Sequence, residues 1–203
     1  KLTFYKMQLK CRIIQMMYKI KVFVYYSFLS SFLLINPSNL FSQENLNVEN
    51  LLNRLQIAET NDAAKKIRAQ IWNKWVYAIP KDAQQNLKYA LNEFNSGRLL
   101  SAEKAFTDLI KKYPNYAEGW NKRATIRYML NDLEGSLNDI QSVLKLQPRH
   151  FGAIAGSGLI YIKKKNYEKA LNFYKSLARI DPMNEESKMF IKLINKILLE
   201  NSA

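Results

Sequence analysis

The side chain with the widest chemical repertoire in this sequence is its single histidine, His150. A histidine can act as a general base, but that role needs a nucleophile or a carboxylate held beside the ring. The chain contains no Gly-x-Ser-x-Gly motif or similar nucleophile signature. We therefore expect His150 to be a loop residue, either solvated or packed at the start of a helix. An enzyme that uses His150 or arginine side chains is the alternative.

The composition excludes other kinds of chemistry. One His and one Cys among 203 residues are too few for a two-histidine metal motif, an internal disulfide bond or a Cys-rich zinc site. With 48% apolar residues, the chain is too apolar to be disordered and is long enough to bury a core. The sequence therefore predicts a folded, non-enzymatic protein without a metal site or a cofactor.

Three glycines, Gly152, Gly156 and Gly158, superficially resemble a phosphate-binding loop. No strand is predicted before them, and no Gly-Lys-Ser/Thr follows them. They fall inside a predicted helix, which favours close helix packing as their role. A shallow spot left by Gly156 on the inner surface is the functional alternative.

Basic residues outnumber acidic ones, with 31 Lys and Arg against 17 Asp and Glu and a formal net charge of +14. The densest run is Lys163, Lys164 and Lys165. Most lysines alternate with acids or asparagine along helix surfaces, which indicates a solvated surface. We therefore expect no nucleic-acid partner, although the positive charge favours acidic partners at long range.

The first part of the chain has the layout of an export signal. Residues 1–42 carry six Lys and Arg and no acid, and contain an apolar run of 14 residues at 22–35. A basic flank, a short apolar run and a polar end are typical of a signal peptide, whereas a transmembrane helix needs about 20 apolar residues. We predict cleavage after Ser42, an exported, periplasmic protein and no stable membrane anchor after cleavage. An uncleaved anchor is the alternative, and a start at Met16 or Met17 would leave the preceding residues outside the protein.

Prolines divide the rest of the chain into repeats. Pro80, Pro114, Pro148 and Pro182 follow one another at intervals of 34 residues. Because proline disfavours helix at the residue before it, each one marks a helix end at the same phase. Three consecutive units follow from this phase: 83–116, 117–150 and 151–184.

The residue types within these units resemble tetratricopeptide repeats (TPRs). In that pattern, small residues let two antiparallel helices approach closely, and bulky residues fill the gaps between successive pairs. The matching residues are Ala90, Gly97, Ala102, Phe106 and Pro114 in the first unit, Trp120, Ala124, Ser136, Ile140 and Pro148 in the second, and Gly158, Tyr161, Tyr167, Ala170, Tyr174 and Pro182 in the third. The resemblance implies an all-α fold, a right-handed α-solenoid of antiparallel helix pairs with three TPRs.

The segments that flank the repeats are interpreted as the two ends of the repeat stack. Residues 43–82 look like a degenerate N-terminal helix pair, a fourth pair in the stack, with a turn and an N-cap at 60–62. Residues 185–203 look like a lone capping helix. This helix has more apolar surface than one packing face needs, which favours a partner or self-association at its outer side.

Two arginines depart from the repeat pattern. Arg123 and Arg127 stand where apolar residues are expected, and Glu93 occupies the position of Arg127 in the preceding unit. Residues at equal phase in adjacent repeats are neighbours, so we predict an ion pair between Glu93 and Arg127. The alternative is that the arginines bind an anionic ligand.

The resemblance also implies a binding surface, because the first helices of successive TPRs line a concave groove. The predicted groove residues are Lys88, Leu91, Phe94, Glu118, Asn121, Lys122, Thr125, Tyr128, Ala155, Leu159, Ile162 and Lys163. This mixed polar, aromatic and basic surface suits an extended segment or a helix of another protein, with an acidic segment as one option.

The best-defined TPR specificity does not fit this chain. The clamp for C-terminal carboxylates in co-chaperones uses Lys, Asn and Arg, and the corresponding positions here hold Leu87, Leu91, Lys122, Gly152 and Gly156. We therefore expect an adaptor or scaffold that binds another protein in the cell envelope. The alternative is an accessory or assembly factor for an envelope enzyme or secretion complex. The stretches RAQIWNKWV, AEGWNKRAT and PRHFGAIAG resemble exported alphaproteobacterial TPR proteins of unassigned activity.

Overall fold

The computed structural model describes residues 37–201, with side chains described from residue 47 onward. This part of the chain contains nine α-helices, one short 3₁₀ helix (Lys81–Ala83) and no strand. The α-helices are α1 (Pro37–Gln56), α2 (Asn61–Tyr77), α3 (Gln84–Asn95), α4 (Leu99–Lys112), α5 (Ala117–Met129), α6 (Leu133–Leu146), α7 (Phe151–Lys163), α8 (Tyr167–Ile180) and α9 (Glu185–Glu200). Val48–Ala203 form one compact unit.

The predicted signal peptide falls mainly on residues 1–36, which lie outside the described residues. The predicted cleavage point after Ser42 lies within α1. Between residues 37 and 201, no helix combines the length and the apolar character needed to cross a bilayer. Signal cleavage and export therefore stay predictions.

The three repeats form as the proline spacing predicts. Helices α3–α4, α5–α6 and α7–α8 are consecutive pairs, and α9 packs against α8. Pro114, Pro148 and Pro182 lie in the turns between one pair and the next. The all-α helical repeat fold is confirmed.

Each pair also turns at an equivalent residue. Gly97, Asn131 and Lys165, each 34 residues after the last, have φ angles of 72°, 67° and 56°. This left-handed conformation suits glycine and is tolerated by asparagine. In the second and third pairs, the next residue, Asp132 or Asn166, caps the following helix by accepting a main-chain N–H three residues on.

Gly158 shows why the pattern requires a small residue. A Cβ atom built on Gly158 would lie 2.6 Å from Cε2 of Tyr174, a fully buried ring on α8. A Cβ on Gly156, two residues earlier in α7, would meet only the terminal methyl group of Ile140, at 3.3 Å. Close helix packing is therefore required at Gly158 and much less so at Gly156.

We expect Gly158→Ala to lower the free energy of unfolding by about 1–3 kcal/mol, because the added methyl group overpacks the Tyr174 ring. Gly156→Ala is the matched control. It should stay within about 1 kcal/mol of the parent, since the higher helix propensity of alanine offsets a small shift of Ile140. Urea denaturation followed by far-UV circular dichroism measures both, and equal losses would contradict this account of Gly158.

The N-terminal segment forms a helix pair, but the pair does not continue the stack before the first repeat. As predicted, Thr60 caps α2 by accepting the N–H of Ala63. The pair shares its main core with the third repeat and α9, and only the end of α2, at Val76, reaches the core of the first repeat. The buried residues of this shared core are Val48, Leu51, Leu52 and Leu55 of α1, Ala64, Ile67, Ile71 and Trp75 of α2, and Phe151, Ile154, Ala170, Tyr174, Leu177 and Ile194.

Helix α2 contacts the turn that follows each of the three repeats, and we call it the crossing helix. Near its C-terminal end, the hydroxyl of Tyr116 donates to the carbonyl oxygen of Val76 at 2.7 Å. At its midpoint, Arg68 donates to Asp181 at 2.5 Å. Between these two contacts, Trp72 and Trp75 pack on His150 of the second turn. A 17-residue helix is about 25 Å long, which is enough to pass three successive repeats.

The sequence contains a reason for this departure. In the phase set by Pro80, the two positions that need small residues hold Gln56 and Arg68. Long side chains there prevent the close helix approach of a TPR pair. Arg68 instead reaches Asp181, which is buried in the last turn.

Candidate functional site

A buried ionic cluster joins the first two repeats. Arg123 donates to both carboxylate oxygens of Asp139, at 2.7 and 2.8 Å, and to the hydroxyl of Thr107 at 3.1 Å. Arg127 donates to Asp139 at 3.1 Å and to Glu103 at 2.8 Å. The Asp139 side chain is only 1% exposed. Because both arginines are directed at acids of this chain, the structure gives them a structural role and not an anion-binding one.

The predicted ion pair between Glu93 and Arg127 is wrong. Arg98 donates to both carboxylate oxygens of Glu93, at 2.7 and 2.8 Å. These hydrogen bonds hold the pKa of Glu93 below its usual value. The left-handed turn at Gly97 brings Arg98 back over α3, so a partner five residues away occupies Glu93. Arg127 does pair across repeats, but with Glu103.

His150 packs at the start of α7, which is the second of the two positions expected for it, and it is not solvated. Its ring is 0% exposed and stacks on Trp75 at a centroid distance of 4.0 Å. The Nδ1 atom accepts the N–H of Ala153, so the ring hydrogen lies on Nε2, which donates to Glu118 at 3.2 Å. His150 therefore caps the helix and anchors the crossing helix, without access to solvent.

The crossing helix covers part of the predicted groove. Glu118 is 1% exposed, and it also accepts from Asn121, which is buried too. The Nζ atom of Lys122 lies 3.2 Å from Glu118 and 5.6 Å from the centre of the Trp72 ring. The start of α5 is thus occupied by the chain's own side chains, and Glu118 is not an open groove residue.

The first repeat contributes little open groove. Lys88 is exposed, but Leu91 and Phe94 are half-buried against the core of the first repeat. Farther along, Lys163 lies over the ring of Tyr128 at 5.1 Å, beside the half-buried Ile162. Among the predicted groove residues, those of the second and third repeats line an open space.

A cleft of about 250 Å³ opens there, between α5, α7 and the start of α9. Five predicted groove residues line it, namely Asn121, Thr125, Tyr128, Ala155 and Leu159. The other lining residues are Ala124, Ser136, Ile140, Gly152, Gly156, Ile160 and Glu186. The structure thus brings together the groove residues of the last two repeats and separates them from those of the first.

Sequence reasoning missed Glu186 as a member of this site. The interpretation of α9 as a capping helix leaves its first turn outside the predicted groove. The signal was present, since Glu186 lies 34 residues after Gly152 and 68 after Glu118, both at the groove-facing second position. The shallow spot predicted at Gly156 does line the cleft.

The other predicted residues have structural contacts. The indole N–H of Trp120 donates to the carbonyl oxygen of Pro114 at 2.8 Å. Tyr161 stacks on Phe173 at 5.6 Å, and Ala124 and Ala170 are buried. Within residues 37–201, no group of three or more His, Cys, Asp or Glu side chains is placed to hold a metal ion.

The outer side of the last helix carries apolar residues. Met189 and Leu193 of α9 are 57% and 45% exposed, whereas Ile194 on the opposite side is fully buried. This arrangement is that of a helix packed on one side only. Self-association through this surface stays a prediction.

Comparisons with known proteins agree with the geometry. The tetratricopeptide repeat family model matches residues 86–116, which cover α3, α4 and the following turn. The chain thus contains a tetratricopeptide repeat, and its next two helix pairs have the same architecture. It is 24% identical over 168 residues to a TPR repeat-containing protein of Rhizobium etli, covering 83% of this chain and 82% of that one.

The chain also matches parts of larger proteins. It is 27% identical over 131 residues to Hsp70-Hsp90 organizing protein 1 of Glycine max, which covers 64% of this chain and only 22% of that relative.

Solved structures show the same fold. The first TPR of Spaghetti (RPAP3), bound to the HSP90 peptide SRMEEVD, superposes with a TM-score of 0.55 at 18% identity, covering 58% of this chain and 93% of that one. The Yersinia enterocolitica type III secretion chaperone SycD, in complex with a peptide of the translocator YopD, gives 0.54 at 11% identity, covering 59% and 96%.

Proposed function

We propose that this TPR protein is a non-catalytic adaptor that binds a segment of another protein in the cleft between its second and third repeats. The observation that carries this proposal is the cleft itself, which opens on the inner face and is lined by five residues predicted to face a partner. TPR structures that hold peptides, such as those of RPAP3 and SycD, support a peptide as the occupant.

The crossing helix limits what can bind. It occupies the beginning of α5 and α7 through Trp72, which contacts Phe151 and lies against Gly152. The open part of the groove is therefore the stretch from Asn121 to Tyr128 and its counterpart on α7. The open space has a volume of about 250 Å³, whereas a helix with its side chains is about 10–12 Å wide. A short extended segment therefore fits this space better than a whole helix.

An adaptor role also agrees with the fate of the reactive side chains. His150, the residue that an enzyme would use first, is fully buried and bonded on both nitrogens. Arg123 and Arg127 are paired with Asp139. We place the protein in the cell envelope, to which the basic and apolar segment before residue 43 would direct it.

Site-specific photocrosslinking in living cells tests this function. A photoreactive phenylalanine at Thr125, which is exposed and lines the cleft, should give a defined crosslinked product in the periplasmic fraction. The same group at Lys111, which is exposed on α4 away from the cleft, is the matched control. Identical products from both positions would contradict a cleft-specific partner, and products confined to the cytosol would contradict the location.

A further inference from the structure

We propose that the cleft accepts a lysine or arginine side chain of the bound segment, with Glu186 as the residue that selects it. This inference rests on the proposed function and names the chemistry of its partner. It differs from the acidic segment that the net positive charge of the chain suggests.

The charge of the cleft favours a basic side chain over an acidic one. Glu186 is the only charged residue among the twelve that line it. Two lysines on the helices that line the cleft already have partners: Lys122 lies beside Glu118, and Lys163 lies over the Tyr128 ring. An acidic side chain in the cleft would therefore meet a carboxylate and no lining cation, which is unfavourable.

Glu186 is available for a partner. Within the described part of the chain it makes no ion pair, whereas its neighbour Glu185 is paired with Lys188 at 3.0 Å. Its carboxylate is close enough to act on a buried neighbour outside the cleft lining: burial raises the pKa of the Tyr174 hydroxyl, and the Glu186 charge adds to this effect. A cation that reaches Glu186 would gain a charge-assisted hydrogen bond without displacing a partner from this chain.

The polar groups of the walls match a hydrogen-bond donor. Asn121 donates to Glu118 at 3.0 Å, Thr125 donates to the Asn121 carbonyl at 3.0 Å, and Ser136 donates to the Ala124 carbonyl at 2.7 Å. The hydroxyl groups of Thr125 and Ser136 each direct their one hydrogen at the protein itself, so they offer oxygen lone pairs to a ligand, and Asn121 offers its carbonyl oxygen beside a second N–H. The ammonium and guanidinium groups are donors only.

The shape of the cleft fits the stem of such a side chain. Ile140, Ala155 and Leu159 provide apolar walls, and Gly156 leaves depth where another residue would place a Cβ 3.3 Å from Ile140. Lys and Arg bury their methylene stems against apolar surface while the charged end stays near water. A volume of about 250 Å³ lies just below the usual range of small-molecule sites, which is about 300–1,000 Å³, and suits a single long side chain.

Retention of synthetic peptides on the immobilised full chain tests this inference. The probes are pools of N-acetylated nonapeptides whose central residue is Lys, Arg, norleucine, Gln or Glu, with the other positions randomised without charged residues. We expect Lys and Arg pools to be retained roughly tenfold more than the Gln pool, which is the effect of about one charge-assisted hydrogen bond. The Glu pool should be retained least.

Matched variants assign the preference to one carboxylate. Glu186→Gln should reduce the retention of the Lys and Arg pools to that of the Gln pool while leaving the norleucine pool unchanged. Glu185→Gln, which alters the adjacent acid, should keep the tenfold preference. Gly156→Leu, which fills the cleft, should reduce the retention of every pool.

The outcomes separate this inference from the function on which it rests. Retention led by the Glu pool, or a preference that survives Glu186→Gln, would overturn the selection of a basic side chain but leave a peptide-binding cleft. Retention of no pool above a blank resin, or retention unaffected by Gly156→Leu, would overturn the cleft as the binding site and this inference with it. Circular dichroism confirms that each variant is folded.

Discussion

Asp139→Asn is expected to lower the free energy of unfolding by about 3 kcal/mol, which is a large part of the stability of a domain of this size. The substitution keeps the shape of the side chain and removes its charge. Arg123 and Arg127 then share a site that is nearly closed to water, without the carboxylate that both of them contact. Urea denaturation followed by circular dichroism measures the loss.

A matched control separates burial from pairing. Asp108 also pairs with a cation, Lys104 at 2.8 Å, but its side chain is 56% exposed. Asp108→Asn should change the free energy of unfolding by less than about 1 kcal/mol, because exposed ion pairs contribute little. Equal losses for the two variants would contradict a buried role for Asp139.

A double substitution tests the mutual dependence of the pair. A buried guanidinium without its carboxylate partner destabilises the fold. Arg123→Leu should therefore lower the free energy of unfolding less in the Asp139→Leu background than in the parent. Additive losses would show that Arg123 and Asp139 do not act together. This cycle also tests the coupling between repeats, since Arg123 contacts Thr107 of the preceding repeat.

The contrast between Asp139 and Glu93 shows what the sequence could predict. Repeat phase correctly predicts that Arg127 forms an ion pair with the preceding repeat, because the period is a property of the backbone. It does not choose the acid, because an arginine side chain is long enough to reach several turns of neighbouring helices. Glu103 and Asp139 lie within that reach, and Glu93 is taken by Arg98.

The groove was predicted in part for a related reason. Thr125, Tyr128 and Leu159 line the cleft because the repeat register fixes their direction. The burial of Glu118 depends on a segment far away in sequence, and no periodic pattern specifies where that segment docks. The long side chains of Gln56 and Arg68 at small-residue positions indicated that the first pair was not a regular repeat, but not where it would pack.

Trp75→Ala is expected to lower the free energy of unfolding by about 3–5 kcal/mol, as for other buried tryptophans. Trp75 is 2% exposed, stacks on His150 at 4.0 Å and contacts Phe151 at 4.8 Å. Truncation therefore leaves a cavity at the point where the crossing helix meets the second turn. Chemical denaturation of the full chain measures the total loss.

Trp75→Phe is the conservative control. The indole nitrogen of Trp75 is buried without a hydrogen-bond partner among the described residues, so phenylalanine removes no hydrogen bond. It retains an aromatic face for His150 and should cost less than half as much as alanine. Similar losses for the two variants would show that the contact area of the indole, and not ring stacking, determines the effect.

Hydrogen exchange shows which helices lose stability in Trp75→Ala. If α2 opens separately from the repeats, its amides in Trp75→Ala should exchange about 150-fold to 5,000-fold faster than in the parent, while those of α5 and α6 change little. A uniform change in all helices would mean that the crossing helix and the repeats unfold as one unit. Separate opening has a consequence for binding: Lys122 and Gly152 lie against Trp72, so release of α2 would extend the cleft toward the start of α5 and α7.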